Sequence, residues 1–208
     1  EFRRVLFRSI EVPKNIDSII SLAPSITQTL IDLGLENKII AIDTNSEKVE
    51  GIKKGLPAFD IMKPDAEKLA SLKPSIILTT NISLINGKDA FKPIKDLGIC
   101  VACIPTSNSI QGIRDDLTFI SQITSTADKG KELIDTMDKE IEKIKNIGKT
   151  ITPKKTVYFE IAAAPNIYSF GQDVFLNEMI DIIGAKNVFA DKKSWIAVEP
   201  ESAVNSNP

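Results

Sequence analysis

Ser18-Ile19-Ile20-Ser21-Leu22-Ala23-Pro24-Ser25-Ile26-Thr27-Gln28-Thr29-Leu30-Ile31-Asp32-Leu33-Gly34, followed by Lys38-Ile39-Ile40-Ala41-Ile42, is the stretch on which the fold turns. Residues 18–22 form a short apolar run bounded by a breaker, the pattern of a buried strand. Ala23-Pro24-Ser25 interrupts it. Ser25 is expected to cap a helix over 26–33, and Gly34 to end that helix in a left-handed conformation. A second apolar strand is then predicted over 38–42. Two strands joined through a helix pair in parallel, because the crossover returns the chain to the same end of the sheet.

The alternation continues outward from this unit. Residues 66–72 read as a helix, 75–79 as a strand, 90–97 as a helix closed by Gly98, and 99–104 as a strand. This is the α/β class, a doubly wound parallel sheet with helices on its faces. The pattern then changes. Two helices, 109–123 and 126–147, follow with no strand between them. The second places Ile134, Met137, Ile141 and Ile144 at three- and four-residue spacing among Lys, Glu and Asp. At 1.5 Å per residue, about 22 residues reach ~33 Å, the width of a small domain. Such a helix can act as a strut between two lobes.

After Pro153 the alternation resumes, with a strand over 156–161, a helix over 174–183 ended by Gly184, and a short strand over 187–189. Leu33-Gly34-Leu35-Glu36-Asn37 has a counterpart in Ile183-Gly184-Ala185-Lys186-Asn187. Glu67 lies seven residues before Pro74, and Glu201 seven before Pro208. These echoes in the same order predict two similar α/β lobes. The expected organisation is an N-terminal lobe over 10–108, a helical linker over 109–150 and a C-terminal lobe over 151–208. The second lobe is expected to be incomplete, because a strand follows Pro74 and by analogy one should follow Pro208.

Composition sets further bounds. Of the four arginines among 208 residues, three fall in residues 1–9. That segment reads as a foreign, adaptor-derived extension of a lysine-preferring sequence. Without its three arginines and one glutamate the net charge goes from −2 to −4. An acidic chain gives no electrostatic support to a nucleic-acid partner. No stretch approaches the ~20 apolar residues of a membrane-spanning helix. There is no histidine, which argues against His-rich metal sites, Ser-His-Asp triads and His-ligated haem. Cys100 and Cys103, three apart in an extended segment, point to opposite faces and should not pair. They read as small buried hydrophobes. Phosphate-loop, dinucleotide-binding and nucleophile-elbow patterns are missing.

The run Ser18 to Leu30 with Leu33-Gly34 and Lys38 to Asp43 opens a longer ordered set. It continues through Asp65-Ala66-Glu67-Lys68-Leu69, Leu72-Lys73-Pro74, Asp96-Leu97-Gly98-Ile99 and Ser109-Ile110. In the second half follow Phe170-Gly171, residues 177–184, Asn187-Val188-Phe189 and residues 195–201. In this order they resemble the substrate-binding proteins of ABC importers for iron complexes and cobalamin. The resemblance implies two α/β lobes joined by one long helix, with the ligand held in the cleft between them. It also implies a secreted protein, periplasmic or lipid-anchored on the outer face of the cytoplasmic membrane. It implies a partner ABC permease with its ATPase subunits, no intrinsic cofactor, and no enzymatic activity. The expected cargo is a small metal chelate, a ferric siderophore or cobalamin, captured by a monomer.

Site residues follow from both readings. Open α/β sheets bind ligands at loops beyond the carboxyl ends of their strands. Pro24, Ser25, Asn81, Tyr168 and Trp195 occupy such loops. Trp195, the sole tryptophan, stands in a polar stretch where its ring could stack on a flat ligand. The resemblance adds Phe59, where relatives carry Gly-Gly-aromatic before the docking glutamate and this chain has Ala58-Phe59-Asp60-Ile61. It also assigns Glu67 and Glu201, one per lobe, to docking on permease arginines. Scarce arginine and absent histidine tilt the cargo towards cobalamin or a near-neutral hydroxamate complex. The rival readings are a doubly wound α/β enzyme, a nitrogenase-like domain, and a surface interaction module.

Overall fold

The computed structural model describes residues 11–81, 84–85, 88–162 and 164–207. The segment read as foreign, residues 1–9, lies outside them, as does Pro208. The chain forms two compact units. Unit 1 comprises Glu1–Thr106 and Asp116–Gly130, and unit 2 Ser107–Asp115 and Lys131–Pro208. The boundary passes through two helices.

Unit 1 begins with β1 (Ile19–Ser21), whose three residues are all buried. α1 (Pro24–Asp32) follows, then a 3₁₀ turn over Glu36–Lys38 and β2 (Ile39–Asp43). A second 3₁₀ turn, Thr44–Lys48, leads towards β3 (Ala58–Phe59) and α2 (Ala66–Ser71). β4 (Ile76–Thr80), a hairpin of β5 (Leu84–Ile85) and β6 (Lys88–Asp89), α3 (Lys92–Asp96) and β7 (Val101–Ile104) complete it. The sheet order is β3-β2-β1-β4-β7. Every neighbouring pair is parallel, so the expected α/β class holds. Parallel sheets are covered on both faces, and their strands read as continuous apolar runs. Ile19-Ile20 and Ile76-Ile77-Leu78 meet that requirement, all without exposure. On one side Ile20, Leu22, Ala41, Leu69, Ile77, Phe91, Ile94 and Val101 form a single core cluster. Each such large side chain contributes about 1.5–3 kcal/mol relative to exposure.

α1 starts earlier than the sequence suggests. Its N-cap is Ala23, in extended conformation and without a side-chain cap, and Pro24 occupies the first turn. Proline fits there because its fixed φ is already helical and its missing N–H has no intrahelical role. Ser25 is therefore inside the first turn and does not cap. Its carbonyl accepts from the Thr29 hydroxyl at 2.9 Å. The other end behaves as expected. Gly34 has φ +78°, its N–H donates to the Ile31 carbonyl at 2.8 Å, and Leu35 N–H donates to Leu30 at 2.9 Å. This pair of bonds is a Schellman cap, and Leu30 and Leu35 are both buried.

Two helices lead into the second half: α4 (Ile110–Ile123) and α5 (Ala127–Gly148). α5 has the length the apolar spacing implies. Among the described residues no helix is long and apolar enough to cross a membrane. Unit 2 continues with β8 (Thr156–Val157), β9 (Tyr168–Phe170), α6 (Phe175–Ile182), β10 (Lys186–Asn187), β11 (Trp195–Ala197) and α7 (Pro200–Asn205). β8 and β10 pair in parallel, β9 and β11 antiparallel. β8 is shorter than the expected 156–161, and neither β9, β11 nor α7 is evident from periodicity.

α6 ends in the same cap as α1. Gly184 has φ +78°, its N–H donates to Asp181, and Ala185 N–H donates to Ile180 at 3.1 Å. The sequence echo between residues 33–37 and 183–187 thus corresponds to one repeated stop signal. Gly184 has a second constraint. A Cβ on it would lie 2.2 Å from the Gly148 carbonyl oxygen, and one on Gly148 would lie 2.3 Å from the Ile182 oxygen. The end of α5 and the end of α6 therefore meet backbone to backbone.

Candidate functional site

In unit 1 the strand order reverses beside β1: β2 lies on one side and β4 on the other. Open α/β sheets bind ligands at such a switch point, beyond the carboxyl ends of the strands. Pro24 and Ser25 follow β1, and Asn81 follows β4; all three are exposed. Two independently nominated positions thus flank one switch point. The Thr106 hydroxyl, beyond β7, donates to Asn81 Oδ1 at 2.9 Å and orients that amide. Because Ser25 does not cap α1, no cap bond engages its hydroxyl at the helix start.

Phe59 has a mixed position. It pairs with Asp43 at the end of β2, and it is half-buried against the unit 1 core together with Ile61. Phe59, expected to take the aromatic's place, and its neighbour Ile61 therefore both serve packing.

Unit 2 builds its surface from aromatic rings. β9 and β11 place Trp195 opposite Phe170 and Ala197 opposite Tyr168. Directly paired residues and residues two apart share a face, so Tyr168 and Trp195 lie on one side. Phe170 is fully buried, while Trp195 is 50% exposed and Tyr168 45%. The Trp195 ring stands edge-on to Phe170 with centroids 6.0 Å apart. Phe159 leans on Phe170 from elsewhere, at 5.5 Å and 51°, and is itself 42% exposed. Such pairs are worth about 0.5–1.5 kcal/mol beyond their area. A buried phenylalanine thus anchors two exposed rings. Phe159 is a member that sequence reading passed over. Its segment reads from sequence only as a strand over 156–161, which does not single out Phe159.

The surface has a polar support beneath it. Asn187 is buried, and its Nδ2 donates to the Phe170 carbonyl at 2.9 Å and to Asn177 Oδ1 at 3.0 Å. Its Oδ1 accepts from Phe189 N–H at 3.0 Å. One amide thereby ties β9, α6 and the loop after β10. Phe189 stacks edge-on against Tyr158 at 6.0 Å. Burial, then the Glu160 carboxylate that accepts from its hydroxyl, push the Tyr158 phenol above its ordinary pKa, so it stays neutral. Gly171 permits the close crossing behind Trp195, since a Cβ there would meet the Lys192 carbonyl oxygen at 2.1 Å. At the loop's rim the Lys192 ammonium, 3.0 Å away, lowers the Asp191 carboxyl.

Glu67 and Glu201 share a local setting. Each is the second residue of a short helix, after Asp65 in one case and Glu199 in the other, and each is exposed. Asp65 Oδ1 accepts from Lys68 N–H at 3.0 Å and fixes the start of α2. At α7, Pro200, Glu201, Val204 and Asn205 line an open depression. Arg114, the one arginine outside residues 1–9, is engaged within unit 2 by Asp138 at 2.7 Å. Among the described residues no group of three or more His, Cys, Asp or Glu is placed to hold a metal ion.

A profile of the periplasmic binding protein family matches residues 19–208. The chain belongs to this family. An ABC transporter substrate-binding lipoprotein, YvrC, of Bacillus subtilis (strain 168) is 32% identical over 203 residues, covering 97% of this chain. The chain spans 64% of that relative's length. A vitamin B12-binding protein of Yersinia pestis (strain Pestoides F) is 24% identical, covering 92% of this chain and 67% of the relative. Among solved structures, a possible iron-binding (periplasmic solute-binding) protein from Staphylococcus epidermidis ATCC 12228 superposes with a TM-score of 0.83 at 34% identity. That match covers 94% of this chain and 76% of the other. One of these relatives is named as a transporter substrate-binding lipoprotein and the others as vitamin- and solute-binding proteins, in line with the fold and class expected from sequence.

Proposed function

We propose that this chain is an extracytoplasmic substrate-binding protein of an ABC importer, not an enzyme. It captures a small metal chelate, cobalamin or a ferric siderophore, and delivers it to a permease with its ATPase subunits. The observation that carries the reading is the aromatic face of unit 2, where exposed Trp195 and Phe159 stand on buried Phe170. A flat or macrocyclic ligand gains from rings held in place before it arrives, because less side-chain freedom is lost on binding. Pro24, Ser25 and Asn81 supply the polar and backbone contacts of unit 1, with Tyr168 joining the aromatic side and Phe59 backing the β2 end. The chain acts as a monomer, in the periplasm or anchored by lipid. Glu67 and Glu201 dock on basic pockets of the permease, and charge at such positions governs encounter and orientation more than raw affinity.

Titration of the full chain with cyanocobalamin, ferrichrome and haemin, read by Trp195 fluorescence, tests the proposal. Quenching by cyanocobalamin or ferrichrome is expected, and Trp195→Ala, followed by calorimetry because it removes the only tryptophan, should weaken that binding about tenfold. Haemin as the sole quencher would move the cargo to a haem held by tyrosine. No response to any probe, with turnover of a metabolite, would overturn the reading. Glu67→Ala/Glu201→Ala is expected to retain ligand binding and lose transport. Intact transport would remove the docking assignment.

A further inference from the structure

A line of buried polar groups runs beneath the unit 1 loops. Ser21, Thr27, Asp43 and Ser46 are each at most 1% exposed. Ser21 Oγ lies 2.7 Å from Thr27 Oγ1. Thr27 donates to Ser46 Oγ at 3.1 Å, Ser46 donates to Asp43 Oδ1, and Asp43 Oδ2 accepts from Asn45 N–H at 2.9 Å. A hydroxyl has one proton to give. Thr27 spends its proton on Ser46, so it must accept from Ser21. The direction of the whole chain is thereby fixed: Ser21 to Thr27 to Ser46 to the Asp43 carboxylate. Aligned bonds ending on a charge polarise one another in a low-dielectric interior.

The members come from separate elements. Ser21 ends β1, Thr27 lies in the first turns of α1, Asp43 ends β2, and Ser46 lies in the following 3₁₀ turn. Between Ser21 and Thr27 sits the loop carrying Pro24 and Ser25, and Asp43 pairs with Phe59. A core that needed only burial would place apolar residues here, since each buried hydroxyl costs free energy unless bonded. We propose that the directional chain ending at Asp43 is a positioning device for the ligand loop. It locks the segment 22–26 to the β2 end, and Ser21, Thr27, Ser46 and Asp43 act through that loop without touching ligand. This role rests on the substrate-binding reading above.

The test uses the full chain with Thr27→Val, which removes the central hydroxyl at constant shape, and Thr27→Ser, which restores it. Amide exchange at residues 22–26 is compared with that at 76–80 in β4. Thr27→Val should speed exchange at 22–26 roughly tenfold or more while 76–80 hold. It should also weaken binding of whichever of cyanocobalamin or ferrichrome the parent chain takes, by a similar factor. Thr27→Ser should restore both. Unchanged exchange at 22–26, or a uniform rise across both segments that Thr27→Ser does not reverse, would overturn the proposal. Should Thr27→Val fail to fold, Ser21→Ala cuts only the first link and is read in the same way. If the parent chain binds neither probe, the substrate-binding reading falls while the exchange comparison still decides the role of the chain.

Discussion

Unit 1 and unit 2 use the same grammar of strand, helix and left-handed glycine, yet they close differently. Unit 1 has a continuous five-stranded parallel sheet and a core cluster of eight residues at 0–4% exposure. Among the described residues unit 2 has two separate strand pairs and a core cluster of four. The exposed large hydrophobics divide accordingly. Met62 and Leu97 belong to unit 1, whereas Ile144, Ile147, Ile151, Phe159, Ile161, Tyr168, Met179, Ile183, Trp195 and Val204 belong to unit 2. A repeated local plan therefore does not dictate a repeated burial. Unit 1 backs its loops with bonded polar groups beside a continuous open sheet, and unit 2 backs its surface with one ring and one amide.

That contrast can be attacked at points of decreasing force. The largest effect should come from Gly148→Val, because the atoms a side chain would strike are backbone and cannot rotate away. A loss of about 3 kcal/mol or more is expected, with amide exchange rising in unit 2 ahead of unit 1. Equal rises would erase the distinction between the units. Leu69→Ala removes a fully buried member of the larger core and should cost about 3 kcal/mol in urea unfolding. Ile180→Ala in the smaller core should cost less, and the reverse order would contradict the comparison. Asn187→Ala strands the Phe170 carbonyl and the Phe189 N–H and should cost about 2 kcal/mol. A red shift and greater quencher access of Trp195 fluorescence should accompany it.

The smallest effect concerns pH. Burial raises the Asp89 carboxyl, but the Lys95 ammonium at 2.7 Å and the Phe91 N–H outweigh it, and the net shift is downward. A carboxylate with a depressed folded pKa adds stability that is complete above its unfolded value and is lost as pH falls through the lower folded one. Asp89→Asn should therefore flatten the acid limb of the stability curve below about pH 4, by under about 1 kcal/mol for so exposed a pair.

Much of unit 1 is legible in the sequence because each decision there is local. Apolar runs of four or five, a proline at the first turn and glycines after Leu33 and Leu97 mark the elements within one or two residues. α5 is legible for the same reason, since its spacing persists over its length. The misses have a common origin in non-local structure. The pairing of β9 with β11 joins residues some 25 apart and relies on Gly171 accepting the Lys192 carbonyl nearby and on Ser194 at φ +60°. Ser25 reads as a cap because its side chain suits one, but Pro24 moves the helix start upstream. Asp43 reads as an ordinary polar strand end, and only the fold brings Ser21, Thr27 and Ser46 to it. Within the candidate site, Trp195 is legible as a lone aromatic in polar surroundings and Tyr168 as part of a predicted strand-end loop, whereas Phe159 and Asn187 are not.

Cys100 and Cys103 are half-buried rather than buried, Cys103 within β7, the outermost strand of its sheet, and Cys100 just before it. Both are free, and burial raises both thiols, with Asp89 further opposing Lys95 at Cys103. A raised thiol holds little thiolate near neutrality, and thiolate is the species that attacks disulfides. In the oxidising surroundings proposed for this protein, two unpaired sulfurs of this kind are slow to form mixed disulfides with passing partners. The sheet edge thus keeps a chemically quiet pair where a more exposed one would invite covalent dimers.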